Sequence, residues 1–174
     1  MSTQSSFFSA DHNDDPYASS HVGERALNKA IVTAEISRGY EEYFAIFDRF
    51  YAEDVETTTD TGEDPVRGKA SVFAALLNFL IPLHVMAEVG GLAVSIRETP
   101  IPGDAADETQ SAWTLELAGA SGKTCTINWR TFRKWNGAQV IHEHHYDHKQ
   151  VGGPLTFDDL SFNTVIPINE LRSA

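Results

Sequence analysis

Apolar residues recur at helical spacing in three stretches of the N-terminal half and alternate along strands in the C-terminal half. Ala26, Leu27, Ala30, Ile31 and Ala34 form one stripe, which predicts a helix from about Val22 to Arg38, ended by Gly39. Tyr43, Phe44, Phe47 and Phe50 make the apolar face of a second, shorter helix from about Tyr40 to Tyr51. Val55 to Thr59 leans toward strand, and Thr61-Gly62-Glu63-Asp64-Pro65 is turn chemistry. Gly68 opens a third helix, Lys69 to Ile81, with Val72, Phe73, Leu76, Leu77 and Leu80 on one face; Pro82 is expected to stop it.

Beyond Pro82 the period changes to two. Leu92, Val94 and Ile96 alternate in a strand placed at Met86 to Glu98, with Gly90-Gly91 marking a bend. Trp113, Leu115 and Leu117 alternate on the next strand, and Gly119 to Lys123 reads as a hairpin loop. Thr124 to Trp135 and Gln139 to Lys149 form two further strands joined by Asn136-Gly137, a tight-turn signal. Helices gathered at one end and strands at the other predict an α+β fold, about three N-terminal helices packed on a curved antiparallel sheet. The expected organisation is a flexible tail over 1–21, which contains Phe7 and Phe8, one domain over 22–150, and a C-terminal extension over 151–174.

Composition narrows the function classes. The chain has 174 residues and a net charge of −12, which repels phosphate backbones and anionic membrane surfaces. Cys125 is the one cysteine, so no intramolecular disulfide and no cysteine-built zinc site is expected. No run of about 18 apolar residues is evident and the first residues do not read as a secretory signal, so the expectation is a cytoplasmic protein with no membrane span. There is no glycine-rich phosphate loop, nucleophile elbow or dinucleotide fingerprint, and no cofactor is implied.

Candidate chemistry concentrates in Ile141-His142-Glu143-His144-His145-Tyr146-Asp147-His148. Plain alternation puts Ile141, Glu143, His145 and Asp147 on one face and Val140, His142, His144, Tyr146 and His148 on the other; a one-residue bulge would swap the later members. A histidine beside a carboxylate is a workable general acid/base, and its plainer reading is a hydrogen-bonded residue lining a sheet. His142 and His144 could both reach one metal ion, but no third ligand of fixed position follows, so interface histidines are the better reading and no metal is assigned. Arg130 and Arg133 lie on opposite strand faces, so one of them can turn inward and meet Glu143.

Three local patterns carry a family resemblance: Phe50-Tyr51-Ala52-Glu53-Asp54-Val55, Gly68 followed by a helix with Val72 and Phe73, and Trp129 to Gly137 running into Val140-Ile141-His142-Glu143. Over about residues 23–150 the chain resembles the nuclear transport factor two-like superfamily, within it the SnoaL-like polyketide cyclase and steroid isomerase branch. The resemblance implies a cone-shaped fold around a pocket for a hydrophobic small molecule and a homodimer through the outer sheet face. If catalytic, such a protein would be a proton-transfer enzyme (isomerase, dehydratase or cyclase) acting on a carbonyl compound; the alternative is a non-catalytic binding or dimerisation module. The resemblance turns Glu143 and His145 inward as catalytic groups, with Asp147 near the pocket mouth. It offers Asp60, in the stretch Thr58 to Gly68, as a second catalytic carboxylate, with Tyr43 or Tyr51 donating to an oxyanion. Phe44, Phe47, Trp113 and Trp129 are then pocket walls; each is equally natural as core.

Overall fold

The computed structural model describes residues 20–102 and 105–161; the expected N-terminal tail with Phe7 and Phe8, and most of the C-terminal extension, lie outside the described residues. Helix α1 (Ser20–Ser37) leads to α2 (Tyr40–Phe50), strand β1 (Tyr51–Thr59), the two-residue strand β2 (Val66–Arg67) and helix α3 (Lys69–Val89). Strands β3 (Ala93–Ile101), β4 (Glu108–Ala118), β5 (Thr124–Asn136) and β6 (Gln139–Val151) follow as a meander. The sheet order is β2-β1-β6-β5-β4-β3. Every pairing is antiparallel except β1 with β6, which run parallel, so the sheet is mixed where a purely antiparallel one was expected.

Local chemistry explains the helices. In α2, Tyr43, Ile46, Phe47 and Phe50 are buried, an i, i+3, i+4, i+7 stripe. Glu41 and Glu42 sit in its first turn and Arg49 in its last, each complementing the helix dipole. Phe44 falls off that stripe and is exposed, its ring edge-on to Phe73 at 5.9 Å.

Helix α3 departs from expectation. Pro82 lies inside it, and the helix continues to Val89 before Gly90 caps it. Proline removes one backbone donor and crowds the preceding turn, at a cost of about 3 kcal/mol. Leu83, His84 and Ala87, all beyond Pro82, are buried, and their packing carries the helix through. The first strand after it consequently begins at Ala93, not Met86. Ending the helix at Pro82 also hides its length: α3 has 21 residues and a mean hydropathy of 1.9 over its most apolar window, long and apolar enough to cross a membrane. The expectation that no segment meets that test is therefore corrected. Only 28% of that window is buried, and Phe79, Ile81, Val85 and Val89 are exposed.

The strands form as their alternation predicts, and Gly137 in the Asn136-Gly137 turn has φ +60°, the left-handed conformation such a turn needs. The inner face of β5 organises the interior. Trp135 belongs to a core cluster with Leu27, Phe47, Tyr51, Val55 and Val140. Trp129 packs against a second cluster built on Leu83, Ala87, Leu92 and Leu115. Thr131 and Arg133 alternate onto the same face between the two tryptophans, so the segment separating the two apolar clusters is polar. Past β6, Asp159 accepts from Ser121 Oγ at 2.9 Å and pairs with Lys123 Nζ at 3.1 Å, tying the start of the C-terminal extension to the β4–β5 hairpin.

Candidate functional site

Two register shifts on β6 decide which of its side chains face inward. Trp135 pairs with Val140 while Lys134 pairs with His142, leaving one extra residue on β6. Arg130 pairs with Tyr146 and Asn128 with Lys149, leaving another. These are β-bulges, in which two residues oppose one. The first returns Val140 to the inner face, where it is fully buried in the core, and plain alternation across Val140 to Glu143 is corrected accordingly. Between the bulges, Arg133 pairs with Glu143 and Thr131 with His145, so Glu143 and His145 share the inner face. The second bulge holds Asp147 at φ +56° and takes it off that face; its carboxylate pairs with Lys149 Nζ at 2.7 Å and Arg130 Nε at 3.6 Å. The expected place of Asp147 at an inner pocket mouth is corrected by this bulge.

Arg133 is the centre of a buried network. Its Nε donates to Glu143 Oε2 at 2.5 Å, and its Nη1 donates to Glu24 Oε1 at 2.8 Å and to Asn28 Oδ1 at 2.7 Å. Tyr51 Oη donates to Glu143 Oε2 at 2.9 Å. Glu24 also accepts from Thr109 Oγ1, Ser111 Oγ and Asn28 Nδ2. The remaining Glu143 oxygen, Oε1, lies 3.0 Å from His145 Nε2, and His145 Nδ1 is 3.1 Å from Thr131 Oγ1.

The electrostatics follow from this geometry. Burial pushes the Glu143 carboxyl up, but Arg133 and then His145 outweigh it and hold it well below the usual carboxylate range. Burial lowers the Arg133 guanidinium, and Glu24 and Glu143 more than offset this, holding it firmly protonated. Burial, then the Glu143 charge, raises the Tyr51 hydroxyl well above its ordinary value. Glu143 is thus an ionised, fully committed acceptor and a poor base; what it can do is orient and electrostatically support His145. The His145 side chain is 27% exposed, in contrast to its buried Glu143 partner. Thr131, His145 and Glu143 are connected as a hydroxyl–imidazole–carboxylate relay, but Thr131 is completely buried and reaches no substrate, which leaves proton transfer through the imidazole. On β1, Thr57 stands in register with Glu143 and Thr59 with His145. The hydroxyl of Thr57 is buried and has no hydrogen-bond partner among the described residues.

The other sequence candidates lie elsewhere. Asp60 is at the exposed end of β1, where Oδ1 is 3.0 Å from His148 Nδ1 and Oδ2 accepts from the Asp147 N–H at 2.8 Å. The hydrogen bond from His148 holds its carboxyl below the ordinary value; the Asp60 N–H donates to the His145 carbonyl at 3.1 Å, but the carboxylate is turned to His148 and the Asp147 N–H, not to the His145 ring. Tyr43 belongs to a second buried cluster: it donates to Glu35 Oε2 at 2.8 Å, Glu35 lies 3.0 Å from His84 Nε2, and His84 Nδ1 is 3.2 Å from Tyr40 Oη. Phe47 stacks on Tyr51 with ring centroids 4.3 Å apart, inside the core. Trp113 is buried, donates to Ser111 Oγ and stacks on half-buried Trp129 at 5.9 Å. On the outer face His144 bonds Thr58 Oγ1 and stacks on Tyr146, and His142 faces Glu56. No three His, Cys, Asp or Glu side chains among the described residues are arranged to hold a metal ion.

Glu24, Asn28 and Glu35 escape a search for apolar stripes, yet a signal exists. Together with Leu27, Ile31 and Ala34 they complete the i, i+3, i+4 lattice of the buried face of α1. Polar residues at core positions of a helix mark a buried network.

No family model and no curated protein matches the chain. Solved structures do. A candidate isomerase from Bacillus subtilis matches with a TM-score of 0.50 at 7% identity, over 73% of this chain and 86% of that one. A candidate isomerase from Rhodopseudomonas palustris matches with a TM-score of 0.50 at 12% identity, over 71% of this chain and 87% of that one. An NTF2-like protein of unknown function from Cytophaga hutchinsonii has a TM-score of 0.49 at 13% identity, over 71% and 95%. The chain shares its fold with the two candidate isomerases. At these identities the likeness is one of fold and carries over no residue's role. In this chain the inner face of β5 and β6 bears an ion network, to which α1 brings Glu24 and β1 brings Tyr51.

Proposed function

We propose that this chain is a small-molecule pocket protein in which His145, supported by Glu143, transfers a proton on a hydrophobic carbonyl compound, in a reaction of isomerase, dehydratase or cyclase type. The observation that carries the reading is the 3.0 Å pair of Glu143 and His145, with the carboxylate buried and the imidazole partly exposed. In this reading His145 takes the proton beside the carbonyl, and ionised Glu143 stabilises the imidazolium that forms. Both tyrosines proposed as oxyanion donors are already committed, Tyr43 to Glu35 and Tyr51 to Glu143. Asp60, exposed and paired with His148, has no part in the chemistry.

The test is a panel of β,γ-unsaturated and β-hydroxy ketones on polycyclic and terpenoid skeletons, read by absorbance of the conjugated product. Turnover that falls by about a hundredfold or more in His145→Ala and survives in Asp60→Asn supports the reading. Turnover unaffected by His145→Ala overturns it. A second reading, binding without catalysis, draws on the engagement of both ring nitrogens of His145. It predicts saturable binding with no turnover in any member of the panel. In either reading we place a homodimer contact on the outer sheet face around His142, His144 and Tyr146; a monomeric mass by light scattering would remove it.

A further inference from the structure

A groove of about 510 Å³ runs between α1 and the edge strand β3, outside the Glu143–His145 pair, and none of the expected pocket walls lines it. Its charge is unusual for this molecule. The chain carries 13 Lys and Arg against 25 Asp and Glu, yet Arg25, Lys29 and Arg97 all line this one groove. Arg97 is paired with Glu116 at 2.7 Å, whereas neither Arg25 nor Lys29 has a carboxylate partner among the described residues. Unpaired cations lining a concave surface of an acidic protein create a local positive potential that attracts an anion.

One helical turn beyond Lys29, Val32 lines the same groove, and Ile96 faces it from β3. The groove therefore has a cationic end and an apolar continuation. Asn28 and Glu98 also line it, and the two are joined: Asn28 Nδ2 donates to Glu98 Oε1 at 3.0 Å. Glu98 opposes an anion by charge; burial raises its carboxyl above the ordinary value, the Asn28 amide that donates to its oxygen acts the other way, and the two cations outnumber it.

We propose that this groove binds a small organic anion with an aliphatic body, its headgroup between Arg25 and Lys29 and its chain on Val32 and Ile96. The site is separate from the His145 pair and does not depend on the function proposed above. The experiment is an amide NMR titration of the full chain with hexanoate, hexyl phosphate and hexanol, the two anions distinguishing a carboxylate from a phosphate headgroup. Millimolar binding of at least one anion is expected, with shifts at Arg25, Lys29 and Val32, no comparable shifts with hexanol, and weakening as salt rises. The Arg25→Gln/Lys29→Gln variant, which alters exposed side chains only, should weaken binding about tenfold or more. His145→Gln should leave the affinity unchanged. Hexanol binding as tightly as hexanoate, an unchanged affinity in the double variant, loss of binding in His145→Gln, or no anion response at these amides would each overturn the proposal.

Discussion

The interior holds two buried hydrogen-bonded clusters of different make-up, one around Arg133 and one around Glu35. The first joins α1, β1, β5 and β6, and its centre is a guanidinium that cannot give up its proton. The second joins only the helices, through Glu35, Tyr43 and His84. A permanent buried charge must keep its partners. The first cluster thus acts as the joint between helices and sheet, and its His145 is partly exposed. The second locks the helices to one another.

The sharpest way to break this contrast is Arg133→Met, which strands Glu24 and Glu143 beside each other. A loss of about 3–5 kcal/mol is expected in urea unfolding, and a loss below about 1 kcal/mol would remove Arg133 as the joint. His84→Leu should cost less, about 2 kcal/mol, because it removes one partner from a single buried carboxylate, which keeps Tyr43. Equal losses in the two variants would erase the distinction. Acid probes the first cluster more gently. The folded-state pKa of Glu143 lies below the ordinary glutamate value of 4.5, so its contribution is present above about pH 4.5 and is lost as pH falls toward the folded value. Unfolding followed across that range should show the gap between the native chain and Glu143→Gln narrowing with acid; a constant gap would contradict the assignment. The smallest effect belongs to the exposed pair outside both clusters: Asp60→Asn should leave the unfolding midpoint in the same assay unchanged.

How much of this was legible depends on whether the feature leaves a period. The α2 stripe, the β4 and β5 alternations and the Asn136-Gly137 turn are periodic or local, and the architecture follows from them. The shared face of Glu143 and His145 is legible for the same reason, since no extra residue lies between them. Bulges insert a residue without changing composition, so the burial of Val140 and the turning away of Asp147 leave no mark in a period-two pattern. Pro82 is a local signal overruled by non-local packing, and it cost the reading both the second half of α3 and its full apolar length. Asp60 matched a family position by spacing alone, and spacing does not say which way the end of a strand turns. Arg133 could be suspected from alternation. Glu24 and Asn28 could be suspected from the buried lattice of α1, but not as partners of Arg133, because the contact spans more than a hundred residues, 109 in the case of Glu24.

The parallel pairing of β1 with β6 has a consequence for the order in which the chain assembles. β3 to β6 close through short connections and can zip together early, but β1 must wait for a partner at the far end of the domain; the Tyr51–Glu143 bond closes a separation of 92 residues. Loop-closure entropy makes such contacts late and slow. During synthesis the three helices and β1 leave the ribosome before β6 exists, with the apolar side of β1 and the face of α3 that packs on it unprotected. The ion network, which needs residues from both ends, is then among the last parts to form, and folding speed and the completeness of the site are governed by the same event.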